Sequence, residues 1–346
     1  MKENILKYAL ENAVRHQGKA NPGAIIGKLI ADDASFKQRI REIQPQIQTT
    51  VREVNAMSPE EQMGKLRKIA PELLDKKKHE HDIFAQLGID KGERIVTAFP
   101  PGPEKYPHIG HAKAIMLNYL LAKEHSGRFI LRFEDTNPSL VKAEFYDIMQ
   151  DNFRWLGAKW DKLIYASDHM EKFYSHGQKL IEDGHAYICT CSAEKVKESR
   201  MKSAACQCRS QPVAQNVQLW DQFKVMGQGT AIVRLKIDLE HKNSTMRDPT
   251  VFRIIDDEHA RHGTKYRVWP NYDFQNAIMD GESGITHRIR SKEFEMRDEL
   301  QAHIQELLGY KKTKVYSIGR LNLEGVPTSG RVIREQLEKK ELIGWT

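Results

Sequence analysis

The sequence predicts an α/β fold: a doubly wound parallel sheet with a helical N-terminal region and an inserted α+β segment. Three observations predict it. Strand-like runs alternate with helix-length segments from about residue 92. Residues 1–88 carry apolar positions at helical spacing. The alternation is interrupted by a β-rich stretch that holds all four cysteines of the chain.

In the N-terminal region, "ILKYALENAV" reads as a helix. "MSPEEQMGKLRKIAPELL" starts with a capping box, Ser58 as N-cap and Glu61 reaching back, with Pro59 at the first helical position. "NPGAIIGKL" fails as a phosphate loop, because Leu29 stands where Ser or Thr must hold Mg²⁺, and reads as a connection between helices. "DKKKHEH" reads as a charged linker.

The Rossmann-like alternation then begins. "RIVTAF" is a strand, "PPGPEKYP" a loop, and "GHAKAIMLNYLLAKEHSG" a helix closed by Gly127. "RFILRF" and "KLIYAS" are further strands, with "YDIMQDNFRWLGA" and "MEKFYSHGQKLIEDG" as helices. "TAIVRLKI" and "RDPTVFRII" belong to the insertion, after which the alternation resumes. The expected divisions are 1–88 helical, 89–186 and 263–320 as two halves of the sheet domain, 187–262 inserted, and 321–346 a loop with the start of a further region.

Composition narrows the function. The 346 residues carry a net charge of +7, which suits a polyanionic partner as well as a merely basic protein. No apolar run approaches the ~18 residues that span a bilayer, and the charged N-terminus does not suit a signal peptide. A cytoplasmic, membrane-free protein is expected. Cys189, Cys191, Cys206 and Cys208 form two C-x-C pairs in "CTCSAEKVKESRMKSAACQCR". Such pairs suit a structural Zn²⁺ held by four thiolates, with four free thiols as the plainer alternative.

The chemistry concentrates in "KYPHIGHAKAIML". A strand ends, a loop crosses, and a helix starts at about Gly110. His108 and His111 therefore stand at the C-terminal edge of the sheet, beside free helix amides that favour phosphate. Gly110, lacking a side chain, leaves room for a flat base. Two surface histidines beside a turn would be the bland reading.

In that setting "HIGH" resembles the signature of class I aminoacyl-tRNA synthetases. Longer stretches resemble glutamyl-tRNA synthetases of the archaeal and eukaryotic type and their glutaminyl relatives: "FPPGPEKYPHIGHAKAIMLNYLL", "RFILRFEDTNP", "NFRWLGAKWD", "YASDHMEKFY", "STMRDPTVFRI", "WPNYDFQNAIMD" and "ITHRIRSKEFEMR". The resemblance implies that His108, Gly110 and His111 bind ATP with its Mg²⁺, and that the two histidines stabilise charge on the α-phosphate. It makes Glu134 the partner of the substrate ammonium and puts Tyr272 and Asp273 in the amino acid pocket. Arg290 would read a side-chain carboxylate by a two-pronged pair, arguing for glutamate over glutamine. Glu293 in the same segment is counted with this site, and an Arg290–Glu293 salt bridge is the alternative. As plainer alternatives, Glu134 would be a surface acid and Tyr272 core.

Two departures stand out. The resemblance places an arginine that contacts the amino acid before "FPP", where this chain has Ala98. The second synthetase signature reads "VPTSGRVI", leaving Ser329 and Arg331 as its ATP-binding residues, Arg331 also as a catalytic cation. The implied function is ATP-dependent glutamate–tRNA ligation by a monomer, with L-glutamate and tRNA(Glu) as substrates and tRNA(Gln) open as a second acceptor. The insertion would hold the acceptor end. A glutaminyl enzyme and a non-catalytic tRNA-binding paralogue are the alternatives. The chain stops where family members continue into stem- and anticodon-binding parts, so a truncated form is expected.

Overall fold

The computed structural model describes residues 2–33, 35–74, 84–90, 92–319, 332, 335–336 and 338–341. The chain divides into two compact units, Met1–Ala85 and Gln86–Thr346.

The first unit packs four helices: α1 (Lys2–Arg15), α2 (Pro22–Asp32), α3 (Phe36–Asn55) and α4 (Pro59–Ile69). Their apolar faces meet around Ile5, Leu10, Ile25, Ile47 and Leu66. The Ser58–Glu61 capping box starts α4 as expected. "NPGAIIGKL" is not a connection but helix α2 itself. The Asn21 side chain accepts from the Gly23 amide and Pro22 opens the first turn, which outweighs its two glycines. The buried Gln62 amide donates to carbonyls of Gly18 and Val54 at 3.0 and 2.8 Å, so a polar core group is satisfied. "DKKKHEH" lies outside the described residues.

In the second unit, β1 (Val96–Phe99), α5 (Ile109–Glu124), β2 (Arg128–Phe133), α6 (Glu144–Trp155), β3 (Lys162–Tyr165) and α7 (Met170–Glu182) alternate as the sequence predicts. The insertion follows: β4 (Ala186–Cys189), α8 (Ala193–Met201), α9 (Val213–Phe223), β5 (Ile232–Leu235), β6 (Thr250–Ile254) and β7 (Val268–Pro270). The alternation resumes with α10 (Tyr272–Ser283), β8 (His287–Ser291), α11 (Glu295–Leu307) and β9 (Lys314–Ile318). Tyr272 is the first residue of α10.

The main sheet is parallel, in the order β3-β2-β1-β8-β9. The insertion is an antiparallel sheet, β4-β5-β6-β7, continuing to Pro270. Alternation along the strands sorts side chains between two faces. Val96, Ala98, Ile130 and Ile164 face a core shared with α7, α10 and the inserted sheet. Phe99, Phe129, Leu131 and Phe133 face the core under α5 and α6.

Strand order reverses between β1 and β8, where only Thr97 and His287 are paired in register. Buried Asn118 on α5 fills the gap. Its amide donates to Ile289 O at 2.7 Å and accepts from Ile289 N at 3.0 Å. A side chain thus replaces missing ladder bonds where a doubly wound sheet opens its ligand crevice.

The end of α5 corrects a detail. Gly127 was expected to be the helix stop, but the left-handed residue is Ser126 (φ 51°). Gly127 is needed for close approach: a Cβ there would lie 2.2 Å from Ile95 O. Backbone cannot step aside as a side chain can. Gly127→Ala is expected to lower stability by about 1–3 kcal/mol, read as a fall in the urea midpoint at unchanged slope.

Candidate active site

The crevice lies at the C-terminal ends of β1, β2 and β8. His108 is the N-cap of α5. Its Nδ1 accepts from the Gly110 amide at 3.1 Å, and its own amide donates to His111 Nδ1 at 3.2 Å. The two rings lie 4.1 Å apart, centre to centre. A histidine whose Nδ1 accepts holds its proton on Nε2, so both rings are neutral with Nε2–H as their donor. Gly110 serves a purpose unlike the one expected. A Cβ would come within 2.9 Å of the His108 ring, so it is the capping imidazole that lies against this backbone.

Burial pushes the His111 imidazole down to about 3, with the His108 and Lys105 charges acting the same way. Burial and Lys105 lower His108 too, against Glu293. The unfolded histidine value is about 6.5. The stability contributed by neutral His111 is therefore fully present above about pH 6.5, and is lost as pH falls from there through about 3. Ring-nitrogen NMR should show His111 neutral at pH 5. An inflection near 6.5 would refute the geometry.

The face of the sheet opposite Phe99, whose ring lies beside that of His111, holds an ionic network. Arg132 on β2 is fully buried. Its Nε and Nη2 meet Glu134 Oε1 at 2.9 Å, Nη1 meets Asp280 Oδ1 at 2.8 Å, and Nη2 reaches Asn276 Oδ1 at 3.3 Å. Asp280 and Asn276, both on α10, also take Nη1 of Arg288 on β8, Asp280 at 2.7 Å. Burial alone would raise the Asp280 carboxyl, but the Arg288 and Arg132 charges outweigh it and hold it below the ordinary range. Glu134 goes the other way: burial raises it despite both arginines. Its Oε2 is buried and makes no hydrogen bond of normal geometry among the described residues, though the Gln275 side chain is near enough to lower the carboxyl. A buried acceptor left open is costly unless something fills it.

Glu134 is buried beside Arg132 at the end of β2 rather than on a surface edge. Tyr272 begins α10, half-buried, with its ring 5.7 Å from that of Phe294. Asp273 does not face an open pocket. It receives Arg297 at 2.7 Å and Gln301 at 2.9 Å, tying α10 to α11. Arg290 is buried and only partly engaged: Nη1 donates to Gln301 at 3.0 Å and Nη2 pairs with Asp298, while Nε has no hydrogen-bond partner among the described residues. The expected alternative partner, Glu293, is replaced in that role by Asp298, because α11 brings its first turn over the end of β8. Glu293 itself is exposed and close enough to His108 for its charge to act on that ring. Burial, with Arg288 beside it, lowers the Arg290 guanidinium to about 10. Ser329 and Arg331 lie outside the described residues.

Sequence reasoning missed three members of this region: Arg132, Asp280 and Arg288. The signal was present. Three arginines at inward-facing strand positions are rare without buried acids to meet them. It also passed over Asp135, which is fully buried and accepts from Ser167 N, Ser167 Oγ and Tyr146 Oη at 2.8, 2.7 and 2.8 Å. That carboxylate ties the end of β2 to the end of β3.

In the insertion, the four cysteine Sγ atoms lie within 4.8 Å of one another. Cys189–Cys206 and Cys191–Cys208 are each 3.9 Å apart, too far for the ~2.05 Å of a disulfide. A tetrahedral ion with Zn–S of about 2.3 Å needs sulfurs about 3.8 Å apart. The cluster fits. Burial pushes the Cys189 thiol up to about 12, so a cation must displace its proton for it to ligate.

A family model described as tRNA synthetases class I (E and Q), catalytic domain, matches residues 94–346. The chain belongs to this family. The class I synthetase chain is 40% identical to a glutamate–tRNA ligase from Korarchaeum cryptofilum over 358 residues, covering 100% of this chain and 62% of that protein. It is 41% identical to one from Pyrococcus abyssi, covering 98% of this chain and 61% of that one. The synthetase chain therefore spans about three fifths of these curated relatives. A solved glutamate tRNA ligase from Elizabethkingia meningosepticum, in complex with its amino acid, shares the fold. Its TM-score is 0.53 at 20% identity, over 71% of this chain and 53% of that one. No described helix is long and apolar enough to cross a membrane.

Proposed function

We propose that this class I synthetase chain activates L-glutamate with ATP and transfers it to tRNA(Glu). The observation that carries the reading is two neutral histidines at a helix N-terminus after β1 and a buried carboxylate oxygen without a hydrogen bond after β2, both at the C-terminal ends of neighbouring parallel strands. The two Nε2–H groups at the positive end of the helix suit the phosphates of ATP, while Glu134 Oε2 suits an amino acid's ammonium. The glutamate α-carboxylate would attack the α-phosphate and expel pyrophosphate, giving glutamyl-adenylate. The 3′-terminal ribose of tRNA would then take the glutamyl group and release AMP. No protein nucleophile is required, so the chain's part is positioning and charge stabilisation. Mg²⁺ would supply counter-charge to the phosphates.

The guanidiniums of β8, with Arg290 first among the sequence candidates, support a side-chain carboxylate over an amide. An amide would turn NH₂ donors toward arginine donors. Cys189, Cys191, Cys206 and Cys208 would hold a structural Zn²⁺ in the insertion, whose place beside the crevice suits an acceptor end. A cytoplasmic monomer fits the same reading, as do the five divisions of the chain set out above.

The test is ATP–pyrophosphate exchange with glutamate and glutamine side by side, each with and without tRNA. Exchange with glutamate is expected and exchange with glutamine is not. Exchange with glutamine alone would overturn the substrate. No exchange under any condition would favour the non-catalytic reading, to which Ala98 points.

A further inference from the structure

We propose that Arg234 is the counter-ion of the cysteine cluster, a buried guanidinium placed to neutralise the four thiolates once they hold a metal ion. The inference rests on the zinc reading and deepens it.

The first support is a charge left without an acid. Arg234 lies on β5, inside the inserted sheet, and is 0% exposed. A guanidinium so deep is rare unless an anion meets it. Among the described residues, none of its three nitrogens meets a carboxylate. Nε donates to the main-chain oxygen of Asp248 at 2.9 Å, and Nη2 is buried without a hydrogen-bond partner. The Asp248 carboxylate is committed elsewhere. It takes the Ile237 amide at 2.8 Å, Arg209 Nε at 2.7 Å and Tyr187 Oη at 3.1 Å.

The second support is what lies at the end of the side chain. In the antiparallel β4–β5 ladder, Arg234 stands opposite Tyr187 and Ile232 opposite Cys189. Residues two apart share a face, so Arg234 is on the face that carries Cys189. Its guanidinium lies over the Tyr187 ring, 5.5 Å from the centre, and Nη1 comes to 4.0 Å from Cys206 Sγ. Tyr187, Ile232 and the cysteines pack together there.

The third support is charge balance. Four thiolates around a divalent ion leave two negative charges in excess. Arg234 cancels one of them across a short gap from which water is largely excluded. Arg200 adds to the effect. It lines the same cleft as Cys191, its Nε is buried without a hydrogen-bond partner, and its charge and that of Arg234 act on each other. With four neutral thiols, these two cations would repel across the cluster with no anion between them. With a metal tetrathiolate, both are compensated.

The test is competition for Zn²⁺ between the whole chain and a chromophoric chelator, with urea unfolding of the same proteins, loaded and metal-free. Arg234→Gln keeps an N–H and removes the charge. Arg234→Lys keeps the charge and removes the fork. Arg234→Gln is expected to weaken Zn²⁺ binding about 10- to 100-fold, the range typical of groups that support metal ligands. Arg234→Lys should stay within a few-fold of wild type. The sign of the stability change separates this role from packing. Loaded with Zn²⁺, Arg234→Gln should unfold at lower urea than wild type. Metal-free, it should unfold at the same or higher urea, because the charge it removes has no counter-charge in that state. Unchanged Zn²⁺ affinity in Arg234→Gln, an equal loss in Arg234→Lys, or a metal-free Arg234→Gln chain that is less stable than metal-free wild type would each overturn the inference and leave the zinc reading standing. Wild type that takes up no Zn²⁺ would overturn both.

Discussion

Metal removal is expected to release one Zn²⁺ per chain and to cost the inserted segment at least about 4 kcal/mol, the range that losing a structural metal occupies. The reason is the position of the cysteines. Cys189 is the last residue of β4, Cys208 is buried in a short turn at 207–210, and few apolar side chains surround them: Tyr187, Val196 and Ile232 with the cysteines themselves. So small a cluster cannot hold two chain segments together by burial alone. Bound metal would be the main link between β4 and that turn. The rest of the insertion is differently placed, since Trp220, Phe223 and Phe252 belong to the large core shared with Phe173 and Phe274. Chelation should therefore open residues 189–211 to hydrogen exchange while β5 and β6 stay protected. Cys208→Ser should reproduce that pattern and lower the melting temperature. Purified chain that carries no metal and is indifferent to Cys208→Ser would sink the zinc proposal.

Arg132→Met is expected to be the most damaging single change in the crevice, destabilising the chain by about 3–5 kcal/mol, as when one partner of a buried pair is removed. Arg132 is 0% exposed and neutralises two buried carboxylates at once. Without it, Asp280 retains Arg288, but Glu134 loses the one ion pair it makes among the described residues. The cost should appear in urea unfolding as a lower midpoint. Function should suffer separately. Arg132 holds Glu134 by Oε1 alone and so presents Oε2 to the crevice, making it a positioning residue. Glutamate affinity should fall more than ATP affinity, a split that general loss of stability would not produce. Adding Glu134→Gln should recover much of the stability and none of the glutamate binding. Equal loss for both ligands, or recovery of binding, would refute the positioning role.

The extent to which the sequence was legible varied from one residue to the next, for physical reasons. The capping box at Ser58, the strand–loop–helix at "PHIGH" and the paired C-x-C knuckles are local. Their geometry is written within a few residues, and the structure repeats it. The parallel alternation was legible because buried strands and amphipathic helices differ in period. Helix α2 was misread because glycine suggested a break, whereas the Asn21 cap and packing against α1 and α3 sustain it. For Arg290 the alternative to a substrate carboxylate was a partner assigned by nearness in sequence. Glu293 is close along the chain, yet the turn into α11 brings Asp298 over the guanidinium instead.

What the sequence by itself determined is therefore the fold class, the family, and the chemical character of each loop. Each follows from periodicity and from motifs whose parts are neighbours in the chain. What only the tertiary structure decided is which charges meet. Arg132, Glu134, Asp280 and Arg288 come from β2, α10 and β8, and β2 and β8 are separated by an entire inserted sheet in the chain. Pairing energy depends on distance and on exclusion of water, neither of which is set until the sheet closes around them.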